Sequence, residues 1–159
     1  MHLYLFRHGD AEDAPAGKPD SSRALTAKGL ERSASVAKMA REAGADPSLI
    51  VSSPYRRAVQ TAEVAAKEFG WKGDIVRFPS LVPHGTPEAV WSDLRDHREE
   101  TSILLAGHEP LMAHLAAFLL SAPGLTIEVK KSAMIHIEMA GIGSAPRGLL
   151  RWMFVPKLA

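Results

Sequence analysis

The chain has no cysteine among its 159 residues. This absence excludes disulfide bonds, catalysis by a thiolate and zinc sites built on cysteine. It is compatible with a reducing compartment, and we expect a cytoplasmic protein. An excess of charge of either sign is also lacking, because 19 Lys and Arg residues stand against 18 Asp and Glu residues. The composition therefore indicates neither nucleic acid nor an acidic membrane surface as a partner.

Long apolar segments are missing as well. The longest apolar run lies around 115–120 and is much shorter than the ~20 residues that a membrane-spanning helix needs. The first ten residues lack the basic segment, the apolar region and the cleavage site of a signal peptide. The sequence thus predicts a protein that neither crosses a membrane nor carries a secretion signal.

Short apolar segments alternate with amphipathic segments along the chain, whose length and 46% hydrophobic content fit a single domain over residues 1–159. Buried strands are predicted at 2–6 and 102–106, and further short strands at 49–51 and 75–78. A half-exposed strand with His136 on its polar face is predicted at 133–139, and a last strand at 150–155. Helices are predicted at 26–44 with Thr26 as N-cap, at 54–70 opened by Ser53-Pro54, at 87–98, and at 111–121 opened by Pro110. Such alternation predicts an α/β sheet covered by helices on both faces.

Polar residues follow three of the predicted strands. They are Arg7-His8-Gly9 after the first strand, Ser52-Ser53 with Arg57 after the second, and Gly107-His108 after the strand at 102–106. Ligands of open α/β sheets bind outside the carboxyl ends of the strands. We therefore expect these side chains to surround one crevice.

The chemistry of this set suits a phosphoryl group. Arg7 and Arg57 supply planar pairs of donors for its oxygens, and the helices opening at Pro54 and Pro110 direct free N–H groups at the same anion. The imidazole of His8 is largely neutral near pH 7 and carries a lone pair, so it can attack phosphorus and form a phosphohistidine that water hydrolyses. Gly9 would let the backbone approach the anion. This reaction needs neither a metal ion nor a cofactor.

The same residues carry a resemblance to a known family. The segments Arg7-His8-Gly9, Ser53-Pro54-x-x-Arg57-Ala58-x-Gln60-Thr61 and Gly107-His108 resemble the signature of the histidine phosphatase superfamily. Arg23-x-Leu25-Thr26-x-x-Gly29 and Gly107-His108-Glu109-Pro110 are similar to its SixA-like phosphohistidine phosphatase branch.

The resemblance covers nearly the whole chain and implies a fold and a set of roles. The fold is a three-layer α/β/α sandwich with a mixed, mostly parallel sheet. His8 would be the nucleophile, Arg7 and Arg57 phosphate ligands, and His108 the second imidazole of the pocket. Arg23 would be a further neighbour of the substrate, with a plain loop charge as the alternative.

The proton donor of the reaction stays open. No segment matches the acidic stretch that supplies it in the phosphoglycerate mutase branch, and the acid phosphatase branch has Asp where Glu109 stands. The candidates are Glu109, Asp10 and His84, of which Glu109 could equally be a helix N-cap, Asp10 a solvated loop charge and His84 a turn residue. A phosphoramidate substrate would need less help from such a donor than a sugar alkoxide does, because solvent can protonate its leaving nitrogen.

The short chain leaves no insertion large enough for a substantial lid, so we expect an open groove. An open groove favours a phosphohistidine presented on another protein as the substrate. The alternatives are a broad phosphatase for small phosphate esters and a phosphate-binding protein without turnover. The second alternative is disfavoured by the complete set of Arg7, His8, Arg57 and His108.

Overall fold

The computed structural model describes residues 1–156, so the last three residues of the predicted domain, 157–159, lie outside it. A single sheet contains the strands β1 (His2–Arg7), β2 (Leu49–Ser52), β3 (Val76–Arg77), β4 (Ser102–Gly107), β5 (Met134–Met139) and β6 (Gly148–Phe154). The helices are α1 (Ala27–Glu42), α2 (Arg56–Phe69), α3 (Pro87–Arg95) and α4 (Leu111–Leu119), with short 3₁₀ turns at Asp20–Ser22 and Pro79–Leu81. Within residues 1–156, no helix combines the length and apolar character needed to cross a membrane.

The strand order across the sheet is β3-β2-β4-β1-β5-β6. Strands β1 to β4 are parallel to one another, whereas β5 is antiparallel to both of its neighbours. The first strand of the chain therefore lies inside the sheet, between β4 and β5. The predicted mixed, mostly parallel sheet is confirmed.

Both faces of the sheet are covered by helices. Alternate residues of β1 point to opposite faces: Leu3 and Leu5 pack with residues of α3 and α4, and Tyr4 and Phe6 pack with residues of α1 and α2. All four side chains are buried, which explains why the strand reads as a continuous apolar run. The result is the expected three-layer α/β/α sandwich.

Two details differ from the sequence-based expectations. Helix α2 begins at Arg56 rather than Pro54, because the Ser53 hydroxyl accepts the N–H of Tyr55 and makes a turn before the helix starts. Strand β5 is not half-exposed, since five of its six residues are buried on one face or the other, and His136 is covered by Tyr4 and Trp152. The alternating pattern is misleading there because the His136 imidazole, although polar, does not face solvent.

The sheet register aligns the carboxyl ends of three strands. Arg7 pairs with Gly107 across β1 and β4, and Ser52 pairs with Ala106 across β2 and β4. Backbone hydrogen bonds continue one residue beyond, from His8 N to Gly107 O and from Ser53 N to Ala106 O. The first residues after these strands are thereby held side by side at one edge of the sheet.

Candidate active site

His8 directly follows β1 at this edge and is buried. Its Nδ1 is 2.7 Å from the carbonyl oxygen of Gly9. A carbonyl can only accept, so Nδ1 carries the proton and the lone pair of the neutral ring is on Nε2. Burial lowers the pKa of His8 to about 4, helped by the nearby charges of Arg57 and Arg7 and partly opposed by the Gly9 hydrogen bond. His8 is thus a neutral imidazole with a defined nucleophilic nitrogen at physiological pH.

Arg57 comes from the first turn of α2 and meets that nitrogen. Its Nε donates to His8 Nε2 at 3.3 Å. The other end of its buried guanidinium is held by Asp20, whose carbonyl oxygen and Oδ2 accept from Nη1 at 3.0 Å and Nη2 at 3.1 Å. One N–H of each Nη remains for a further acceptor, since a guanidinium has five donors.

Arg7 is the last residue of β1 and directly precedes His8. Its Nη1 donates to Val129 O at 2.7 Å. Its Nε is buried and has no hydrogen-bond partner within residues 1–156. Burial lowers the pKa of the Arg7 guanidinium, which the charge of Glu109 partly offsets. A buried N–H without a partner is costly, and this donor is available to an anion bound beside His8.

His108 contributes a second unpartnered donor, and its hydrogen bond with Ser53 defines its tautomer. Its Nε2 is 2.8 Å from the hydroxyl oxygen of Ser53, a fully buried residue. Apart from His108 Nε2, the proton of this buried hydroxyl has no acceptor within residues 1–156, so it is donated to Nε2 and the ring proton is on Nδ1. Nδ1 is buried and unpartnered among the described atoms, and the His8 and His108 ring centroids are 5.0 Å apart. Burial and the adjacent His8 lower the pKa of His108 to about 2.

This arrangement predicts that Ser53→Ala weakens anion binding by about tenfold, because the Nδ1–H tautomer of His108 is no longer enforced. Nitrogen NMR of the two rings should show His108 protonated at Nδ1 in the unmodified protein and a mixture of tautomers in the variant. Ser35→Ala, a change in α1 away from the site, serves as the control. A His108 protonated at Nε2 in the unmodified protein would contradict the inference.

Gly9 has a packing role, and the expected close approach of its backbone to an anion stays a prediction. A Cβ atom there would lie 2.7 Å from both Gly29 O and Ser33 Oγ. Its N–H donates to Thr61 Oγ1 at 3.2 Å and so is already in use. Gly9 therefore allows α1 to pack directly against the nucleophile segment.

The three proton-donor candidates lie in different surroundings. Glu109 is half-buried, and burial raises its pKa although the N–H of Ala113 and the charge of Arg7 act in the other direction. Asp10 is paired with Lys131 at 2.8 Å, a hydrogen bond that lowers its pKa. His84 is exposed in the turn before α3. Glu109 alone among these combines partial burial with a raised pKa.

Arg23 is occupied within its own loop. Its Nε donates to Glu12 O at 2.7 Å and its Nη1 to Asp20 Oδ1 at 3.2 Å. It is connected to Arg57 only through Asp20, so its hydrogen bonds do not place it beside His8. Asp20 is the residue of the site that sequence reasoning missed. Its one signal was its spacing, three residues before Arg23, which suits an ion pair across a single turn.

Two residues of the Ser53–Thr61 segment have structural contacts that complete the site. Gln60 Oε1 accepts the N–H of Leu25 at 2.7 Å and so ties the loop after β1 to α2. Thr61 links Gly9 to the first turn of α2 by accepting from Gly9 N and donating to Arg57 O.

Across residues 1–156, no group of three or more His, Asp or Glu side chains is arranged to hold a metal ion.

Comparison with known proteins agrees with this geometry. The sequence model of the histidine phosphatase superfamily (branch 1) matches residues 3–81. An uncharacterized protein of Picosynechococcus is 34% identical over 142 residues, which cover 87% of this chain and 85% of that protein. Phosphohistidine phosphatase SixA of Escherichia coli is 29% identical, with 98% of this chain and 94% of that protein covered. A structure of the protein histidine phosphatase SixA complexed with tungstate superimposes with a TM-score of 0.86 at 28% identity, covering 98% and 97% of the two chains.

Proposed function

This chain belongs to the histidine phosphatase superfamily and is a phosphatase, and we propose that it removes phosphoryl groups from histidine side chains of other proteins through a covalent intermediate on His8. The observation that carries the mechanism is the neutral His8 ring, whose Nε2 lone pair faces Arg57 Nε. The unpartnered donors of Arg7 and His108 lie at the same strand ends.

The proposed reaction has two displacements at phosphorus. The lone pair of His8 Nε2 forms a bond to phosphorus while the bond from phosphorus to the substrate nitrogen breaks, and that nitrogen keeps the electron pair. Arg57 Nε, released from His8, donates to the phosphoryl oxygens together with Arg7 Nε and His108 Nδ1. Water then displaces His8 and yields inorganic phosphate. The donors are fixed before substrate arrives, which is the usual source of transition-state stabilisation in such sites.

The relatives support a protein phosphohistidine as the substrate. SixA of E. coli, which is similar over nearly its whole length, is a phosphohistidine phosphatase. The high coverage in both directions leaves this chain without an added segment that could form a large lid, so a side chain on another protein could reach His8.

A substrate panel tests the proposal. We expect kcat/KM for a phosphohistidine peptide to exceed that for phosphoserine and small sugar phosphates by at least about a hundredfold, a difference of about 3 kcal/mol in transition-state binding. His8→Ala should lack both activities. Equal or greater activity on the small esters would overturn the phosphohistidine assignment while leaving the phosphatase assignment in place.

The half-buried Glu109 favours a second candidate, hydrolysis of phosphate monoesters. Its raised pKa keeps a larger fraction of the carboxyl protonated, as a proton donor to an alkoxide requires. Glu109→Gln should lower kcat on an alkyl phosphate by about a hundredfold and change phosphohistidine hydrolysis less than about threefold. Glu88→Gln, an exposed change in α3, is the matched control. A loss of similar size on phosphohistidine would contradict the idea that this substrate needs less help from a proton donor.

A further inference from the structure

Asp20 is bound by the arginines around the candidate active site. Its carbonyl oxygen and Oδ2 accept from the two Nη atoms of Arg57, and its Oδ1 accepts from Arg23 Nη1. It lies in the 3₁₀ turn Asp20–Ser22, in the loop that Gln60 ties to α2 through Leu25. The carboxylate is therefore held in a fixed place although its side chain is 57% exposed.

The position of this carboxylate relative to His8 follows from the contacts of Arg57. The Nε end of the guanidinium meets His8 Nε2, and the Nη end meets Asp20. Asp20 is thus separated from the nucleophile by the length of the guanidinium, on the solvent side of the site. In a displacement at phosphorus the leaving group departs from the side opposite the attacking nitrogen. The Asp20 carboxylate accordingly borders the space that a leaving group would occupy.

The charge of Asp20 suits an acceptor and not a proton donor. Burial raises its pKa, but the hydrogen bond from Arg23 and the charge of Arg57 outweigh this effect, so the pKa of Asp20 lies below its usual value. A carboxylate has about four acceptor positions, and the side chains of Arg57 and Arg23 use two of them. Asp20 can accept a further hydrogen bond from a ligand at the mouth of the site.

We propose that Asp20 is a specificity-determining residue that selects phosphohistidine by accepting the N–H of the imidazole nitrogen that does not carry the phosphoryl group. This inference rests on the proposed function. Protonation of that nitrogen by solvent makes the ring a cation, which the carboxylate favours. When the bond from phosphorus to the other ring nitrogen breaks, that nitrogen takes the electron pair and a neutral imidazole with its N–H intact leaves. Asp20 gives up no proton in this step. A phosphate ester without such a donor gains nothing from the carboxylate.

The test compares Asp20→Asn with the unmodified protein on a phosphohistidine peptide and on p-nitrophenyl phosphate. The variant should lose about tenfold or more in kcat/KM on the phosphohistidine peptide and less than threefold on the aryl phosphate, as expected for one hydrogen bond to a charged group. Asp20→Glu should restore most of the preference. Asp13→Asn, an exposed carboxyl of the same loop, should change neither activity. Thermal unfolding and inhibition by inorganic phosphate show whether each variant folds and keeps its anion site.

Each other outcome overturns the inference. An equal loss of kcat/KM on both substrates in Asp20→Asn, with weaker inhibition by phosphate, would mean that Asp20 only positions Arg57. A gain in kcat/KM on both substrates would mean that the carboxylate merely competes with the phosphoryl group for the donors of Arg57. A larger loss on an ester would make Asp20 a proton donor. An unmodified protein without phosphohistidine activity overturns the proposed function itself, whereas an active protein with an unchanged preference in Asp20→Asn overturns this inference alone.

Discussion

Replacement of His8 by alanine is expected to lower kcat on the order of 10⁵-fold, the scale seen when a covalent nucleophile is removed. The loss follows from the geometry at Nε2, since the bond to phosphorus forms at that atom. The remaining donors of Arg7, Arg57 and His108 would still bind an anion. We therefore expect inorganic phosphate to bind the variant with an affinity within about tenfold of the original.

The covalent step can be observed directly. Rapid acid-free quenching during turnover of a phosphohistidine peptide labelled on phosphorus should trap a base-stable, acid-labile adduct on the chain, and His8→Ala should remove it. His114→Ala, a change of an exposed histidine on α4, is the control and should leave the adduct intact. An adduct that persists in His8→Ala would refute His8 as the acceptor.

The protein is expected to lose stability steeply as the pH falls from about 6.5 to about 4. Burial lowers the pKa of His8 and of His136 to about 4 and that of His108 to about 2. The unfolded chain binds protons at these rings below its ordinary pKa of about 6.5, and the folded chain does not. Each ring thus removes on the order of 1 kcal/mol of unfolding free energy per pH unit within this window. The contribution is fully present above pH ~6.5, and for His8 and His136 the loss is complete near pH ~4.

Urea unfolding between pH 7 and pH 4.5 measures this slope. The variant His136→Phe should keep the packing against Tyr4 and Trp152 and reduce the slope by about one third, because one of three titrating rings is gone. Its activity should be unchanged, since His136 lies on β5 away from the strand ends that carry the site. An unchanged slope in this variant would show that His136 is not held neutral in the folded protein.

Much of the fold followed from the sequence because the apolar runs that form β1, β2 and β4 are bounded by unambiguous polar residues. The parallel arrangement of these strands brings His8, Ser53 and His108 to one edge, as the positions of these residues directly after the strands predicted. Arg57 was predictable for a related reason. A residue in the first turn of the helix that follows a strand points back toward that strand's carboxyl end.

The remaining features depend on contacts between distant segments. In the sequence Asp20 is one polar residue among several in a loop. Its pairing with Arg57 arises only when Gln60 holds that loop to α2. His136 read as solvent-facing, whereas the antiparallel pairing of β5 with β6 covers it with Trp152. The role of Gly9 became apparent only once α1 was packed against it.

The place of β1 in the sheet has a consequence for how the chain acquires its structure. This strand is made first, yet its partners β4 and β5 lie about a hundred or more residues later in the chain. Such long-range pairing raises the contact order and slows folding. During synthesis the apolar β1 stays without its partner β5, and exposed to aggregation or chaperone binding, until residues up to 139 have left the ribosome. The nucleophile segment therefore gains its neighbouring strands only after β4 and β5 have been synthesised, and we expect truncated chains that stop before β5 to aggregate instead of forming a partly active phosphatase.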